Sequence, residues 1–143
     1  IGGGILNSLL SKILKNIFRQ PRPVQSTSDG YGMPSSHSQS LFYFITILSL
    51  ICVKSRHDIS AYVFVFSLYA YAITAIYWRI QTKLHSFAQT VVGASIGTVV
   101  GYTLFRNQLL LQKTCQLPLS NSKLCQYISE PIPLIPRIIT VIL

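Results

Sequence analysis

The sequence predicts an all-α protein, a transmembrane bundle of about four spanning helices with its chemistry at one membrane face, and three observations carry that expectation. Four long apolar segments divide the chain, at residues 1–18, 38–53, 59–78 and 86–105. Charge is scarce: 10% of residues are Asp, Glu, Lys or Arg and 50% are hydrophobic, where a soluble domain carries roughly a quarter charged residues. Finally, no amphipathic helix is available to shield a stack of such segments from water.

The first segment opens with Gly2, Gly3 and Gly4, which weaken it as a helix, and carries Lys12 and Lys15. The chain starts at Ile1 rather than Met, so an N-terminally truncated first segment is expected, and no cleavable signal peptide is visible. The second segment is uncharged and stops at Lys54, Arg56, His57 and Asp58. The third is rich in aromatic and branched residues, and the fourth closes at Arg106. Segments two to four hold 16 to 20 residues, close to the roughly 20 that a spanning helix needs. In the fourth, Gly93, Gly97 and Gly101 recur every four residues and place a smooth face where another helix can approach.

Residues 19–34 are polar and rich in Pro, Gly and Ser, the signature of an extramembrane loop. Beyond Phe105 the chain turns polar and ends in an apolar stretch broken by Pro133 and Pro136, too short to span. The expected organisation is a membrane domain over 1–106 and a tail over 107–143. Cys52 reads as a small core residue, while Cys115 and Cys125 can pair only in an oxidising compartment, which their spacing does not decide.

Net charge is +9, and the acids are Asp29, Asp58 and Glu130. With no soluble domain to carry the basic residues, nucleic acid is excluded as a partner in favour of the bilayer and anionic lipid headgroups. No Cys/His spacing fits zinc, and a two-metal phosphatase needs several carboxylate or histidine ligands. No metal and no cofactor are therefore expected.

Alternating the segments across a bilayer brings Lys15, Arg19, Arg22, His37, Arg79, Lys83 and His85 to one face. Arg19 and Lys83 read as interfacial anchors. The rest fall into three clusters. Lys15 and Arg22 lie seven residues apart, two helical turns, although Pro21 and Pro23 stop a helix from carrying both. Two cations suit a phosphate, and a basic flank explains them as well. In the run from Gly30 to Ser38, Pro34 followed by Ser35 and Ser36 is a natural helix entry. The positive end of that helix suits an anion, and His37 beside it can donate a proton; an ordinary cap with an interfacial histidine explains the same residues. Arg79 closes the third segment, His85 opens the fourth, and Gln89 follows four residues later on the same face. Gln89 can hold one ring nitrogen and leave the other to attack phosphorus, or the pair can simply cap a helix.

In order, the clusters read Lys-x6-Arg-Pro, Pro-Ser-Ser-His and Arg-x5-His, from Lys15 to Gln89. This resembles the type 2 phosphatidic acid phosphatase superfamily, whose motifs are Lys-x6-Arg-Pro, Pro-Ser-Gly-His and Ser-Arg-x5-His-x3-Asp. Ser36 stands for the motif glycine, Trp78 for the serine and Gln89 for the aspartate. The run Gly-Tyr-Gly-Met-Pro-Ser-Ser-His-Ser-Gln, with Gln89, is similar to the dolichyl diphosphatase branch. The resemblance implies that His85 is the nucleophile and forms a phosphohistidine, and that His37 protonates the leaving group. It implies that Lys15, Arg22, Arg79, Ser35 and Ser36 hold phosphate, with Gln89 where an aspartate orients the nucleophile. The implied reaction is metal-independent hydrolysis of a polyprenyl diphosphate lipid to the monophosphate. That reaction recycles the carrier for N-glycosylation at the lumenal side of the endoplasmic reticulum membrane. A sister enzyme acting on phosphatidate or undecaprenyl diphosphate stays open. So does a weakly active phosphate-lipid-binding protein, because a neutral amide does not stabilise an imidazolium as a carboxylate does.

Overall fold

Four helices follow one another: α1 (Gly2–Phe18), α2 (Ser36–Ser55), α3 (Ile59–Gln81) and α4 (Phe87–Cys115). They belong to a computed structural model that describes residues 2–24, 26, 30–55 and 57–115. Among these residues there is no strand. The chain divides into two units, Ile1–Phe105 and Arg106–Leu143. The first holds the candidate site described below. The second begins with the last stretch of α4, and Asp29, Arg56, Cys125 and the residues from 116 onward lie outside the described residues.

The helix ends have local causes. Asp58 caps α3, its carboxylate accepting from the Ala61 amide at 3.3 Å and the Ser60 hydroxyl at 2.8 Å. Ser86 and Gln89 cap α4 reciprocally: the Gln89 amide donates to Ser86 Oγ at 3.3 Å, and the Ser86 amide donates to Gln89 Oε1 at 3.1 Å. Arg19 (φ 45°) and Lys83 (φ 56°) follow α1 and α3 in the left-handed region that glycine usually takes at such positions.

α2, α3 and the stretch Phe87–Leu110 of α4 are long and apolar enough to cross a membrane. α1 is not among them. Its described part is 17 residues long and carries Lys12 and Lys15. The described residues thus form the expected four-helix, all-α arrangement, with three helices long and apolar enough to span. α4 also continues past Arg106 to Cys115; polar residues do not end a helix, and no Gly or Pro intervenes.

Burial runs opposite to that of a water-soluble protein. Asn7, Ser11, Ser35, Ser38, Gln39 and Thr90 are buried, whereas Ile59, Phe66, Trp78 and Phe87 are exposed by 68% or more. In hydrocarbon apolar side chains lose nothing by facing out, and polar ones must find partners inside. Gln39 Nε2 donates to Asn7 Oδ1 at 2.9 Å, and Ser11 Oγ to Ser36 Oγ at 2.7 Å, tying α1 antiparallel to α2. The α4 glycines pack on α2: a Cβ on Gly93 would meet the Ser35 backbone, one on Gly97 the Gln39 carbonyl, and one on Gly101 the Tyr43 carbonyl. These contacts advance together along both chains, so α2 and α4 run parallel, in close backbone approach, and begin side by side. Cys52 is buried, as expected of a small core residue.

Candidate active site

Because α2 and α4 are parallel neighbours, their N-terminal ends open at one place. The Ser35 amide, just before α2, donates to the Gln89 carbonyl in the first turn of α4 at 3.1 Å. Two positive helix ends therefore stand together, and the ends of α1 and α3 are brought to them by the connecting loops.

His85 lies in the turn two residues before α4, not inside it, so the expected shared helical face is not what joins it to Gln89. The capping arrangement does that. Gln89 is 2% exposed, and every polar atom of its side chain is engaged. Its Nε2 donates to the Pro21 carbonyl at 2.9 Å and to Gln20 Oε1 at 3.4 Å. Its Oε1 accepts from the Ser86 amide at 3.1 Å and faces His85 Nδ1 at 3.3 Å. A carbonyl can only accept and a backbone amide can only donate, so the amide cannot be turned over. Hence Nδ1 of the neutral ring carries the hydrogen, and Nε2 carries the lone pair.

His85 is 4% exposed. Burial, the positive charge of Arg22, and then those of Lys15 and Arg79 hold its pKa below the usual histidine value of 6.5, while the Gln89 hydrogen bond acts in the opposite sense. All three predicted phosphate-binding cations thus act on one imidazole. His37, the second residue of α2, is exposed at the same end of the helix. Arg22 arrives by a route that helical spacing misses. α1 ends at Phe18, and the loop turns back so that Arg22 Nη1 donates to the Leu84 carbonyl beside His85 at 3.4 Å. Arg22 Nε is buried and has no hydrogen-bond partner.

The serines are engaged with protein. Ser35 is fully buried and its Oγ accepts from Ser38 Oγ at 3.2 Å, while Ser36 Oγ receives the Ser11 hydroxyl. Sequence reasoning missed Gln20, the Pro21 carbonyl and Ser86. Only Ser86 had a readable signal, the Ser-x-x-Gln capping pattern ahead of an apolar run. Among the described residues no three His, Cys, Asp or Glu side chains converge as metal ligands. Ile76, three residues before Arg79, joins Phe42, Val91, Ala94 and Val99 in lining an open apolar groove between α2, α3 and α4.

Helices able to cross a membrane, and a buried imidazole whose proton affinity three cations lower at the joint start of two helices, make a site suited to an anion. Residues 2–112 match the PAP2 superfamily, and the chain belongs to that family. Lipid phosphate phosphatase epsilon 2, chloroplastic, of Arabidopsis thaliana is 38% identical over 99 residues, 68% of this chain and 34% of its own length. Dolichyldiphosphatase of Saccharomyces cerevisiae is 30% identical over 114 residues, 72% of this chain and 48% of its own. Dolichyldiphosphatase 1 of Homo sapiens is 27% identical over 118 residues, 73% of this chain and 50% of its own. The chain thus spans between a third and a half of the length of these relatives. No solved structure matches it.

Proposed function

We propose that this protein hydrolyses a polyprenyl diphosphate of the dolichyl type to the monophosphate, without metal, through a phosphohistidine on His85. The observation that carries this reading is the Gln89 amide, which leaves the His85 Nε2 lone pair as the ring's reactive position. Nε2 attacks the terminal phosphorus and forms a P–N bond. The P–O bond to the inner phosphate breaks, its electron pair leaves on oxygen, and His37 supplies the proton. Water then attacks the phosphoryl group, His37 takes the water's proton, and the P–N electron pair returns to Nε2. Lys15, Arg22 and Arg79, with the amides opening α2, offset the charge on the phosphoryl oxygens. The unpartnered Nε of Arg22 is one donor left for them.

The relatives named dolichyldiphosphatase and the motif run ending in Gln39 favour a polyprenyl diphosphate. On the same resemblance the proposed location is the endoplasmic reticulum membrane with the site lumenal, and the proposed role is recycling of the carrier for N-glycosylation. The 38% match to a chloroplastic lipid phosphate phosphatase favours a second reading, a lipid monophosphate substrate in a plastid membrane. Phosphate release from dolichyl diphosphate and from phosphatidate, each with a chelator present, tests both. Faster release from the diphosphate supports the first reading, and preference for phosphatidate supports the second. Activity that vanishes with chelator and returns with divalent ions would overturn the metal-free mechanism.

A further inference from the structure

We infer that Gly32 is a positioning residue for His85 and acts on it through the Gln89 amide; the inference rests on the reading of His85 as the nucleophile. Two glycines in the same loop make a contrast. Gly30 has a φ of +86° and nothing within 4 Å of the space a Cβ would fill, so its backbone conformation is what calls for glycine. Gly32 does not have a left-handed backbone, and what calls for glycine there is space. A Cβ on Gly32 would stand 2.6 Å from Gln89 Nε2, 2.7 Å from Oε1 and 2.8 Å from Cδ.

The end of a long side chain usually gives way to such an intrusion at little cost. This one is held at both atoms. Oε1 is engaged by the Ser86 amide and His85 Nδ1, and Nε2 by the Pro21 carbonyl and Gln20 Oε1. Gly32 is held too, since its own amide donates to the Gln20 carbonyl at 2.8 Å. A methyl group at position 32 therefore forces a choice. Either the loop lifts and loses the bond from Gly32 to Gln20, or the amide moves and Oε1 leaves Nδ1. The second outcome frees the imidazole to rotate and to change tautomer, so that Nε2 no longer presents its lone pair toward phosphorus. Lys15 and Arg79 lie outside this loop, and Arg22, between Gln20 and Gly32, shifts only if the loop lifts. When the amide gives way, the damage falls on the chemical step and spares binding.

The experiment is a double-mutant cycle on the full chain in lipid vesicles, with Gly32→Ala, Gln89→Ala and both together, assayed on dolichyl diphosphate and melted in parallel. Gly32→Ala is expected to lower kcat by about 10- to 100-fold with KM within about twofold, as for loss of a bond that orients a reacting group. The acid limb of its pH profile moves to lower pH, because the lost Gln89 hydrogen bond supported the protonated ring. In the Gln89→Ala background the same substitution has no further effect. If Gly32→Ala does not fold, the double variant must fold, since removing the amide makes room for the methyl. A wild-type kcat in Gly32→Ala, a loss that adds in full to that of Gln89→Ala, or failure of both single and double variants to fold would each overturn the inference. A wild-type protein that releases no phosphate from any lipid would sink the enzyme reading instead, and the melting temperatures would still report whether positions 32 and 89 are coupled.

Discussion

At the scale of single residues, the departure of Gln89 from the superfamily's aspartate has a structural cause. The side chain makes two connections at once: its oxygen receives the ring hydrogen of His85, and its nitrogen binds the loop at Gln20 and Pro21. An aspartate is shorter and can only accept, so it would set a buried carboxylate near the Pro21 carbonyl. Leaving buried polar groups unpaired costs about 1–3 kcal/mol. Gln89→Asp is accordingly expected to slow turnover by roughly 10- to 100-fold on that cost, and a rate equal to wild type would show that the loop contact is dispensable. The depressed pKa of His85 makes a second prediction. Its neutral, nucleophilic form persists below pH 6.5, so the acid limb of kcat/KM, which His85 sets, should begin below that value. The sign for stability follows. Unfolded His85 takes up its proton near 6.5 while the folded protein resists it, so stability declines as pH falls from there toward the folded pKa. Titration of unfolding against pH in wild type and His85→Gln checks this; an unchanged slope in the variant would remove His85 as its source.

At the scale of elements, the three glycines of α4 bring helix starts together. Each removes a side chain where α4 meets the backbone of α2, and the closest approach is Gly97 on the Gln39 carbonyl. Their spacing was visible in the sequence, and so was the small face it creates. Their partner was not, because helical periodicity says which side of a helix is smooth and nothing about which helix lies there. Gly97→Ala is expected to cost about 1–3 kcal/mol by overpacking and to lower the melting temperature in detergent. An unchanged melting temperature would show that α2 and α4 are not in backbone contact. Helix ends were read less well than helix bodies. Arg19 and Lys83, besides any anchoring by their side chains, hold left-handed positions that turn the chain out of α1 and α3. Their side-chain chemistry gave no warning of that, because glycine is the usual signal.

At the scale of the whole molecule, the proposed chemistry depends on convergence. Apolar length alternating with short polar loops made three spanning helices legible, and alternation alone placed Lys15, Arg22, His37, Arg79 and His85 at one face. The contacts that hold Arg22 and Gln89 beside His85 were not legible. They run through backbone atoms, the Leu84 carbonyl for Arg22 and the Pro21 carbonyl for Gln89, which carry no sequence signature. The measurement that tests the account most directly is trapping of the covalent intermediate. Protein turning over dolichyl diphosphate with a labelled terminal phosphate is quenched in alkali and digested, and the peptide that carries the label is sequenced. The label should sit on His85, be lost in acid, and be absent from His85→Ala, which should also release no phosphate. Turnover without label on the protein, or label retained by His85→Ala, would contradict the account.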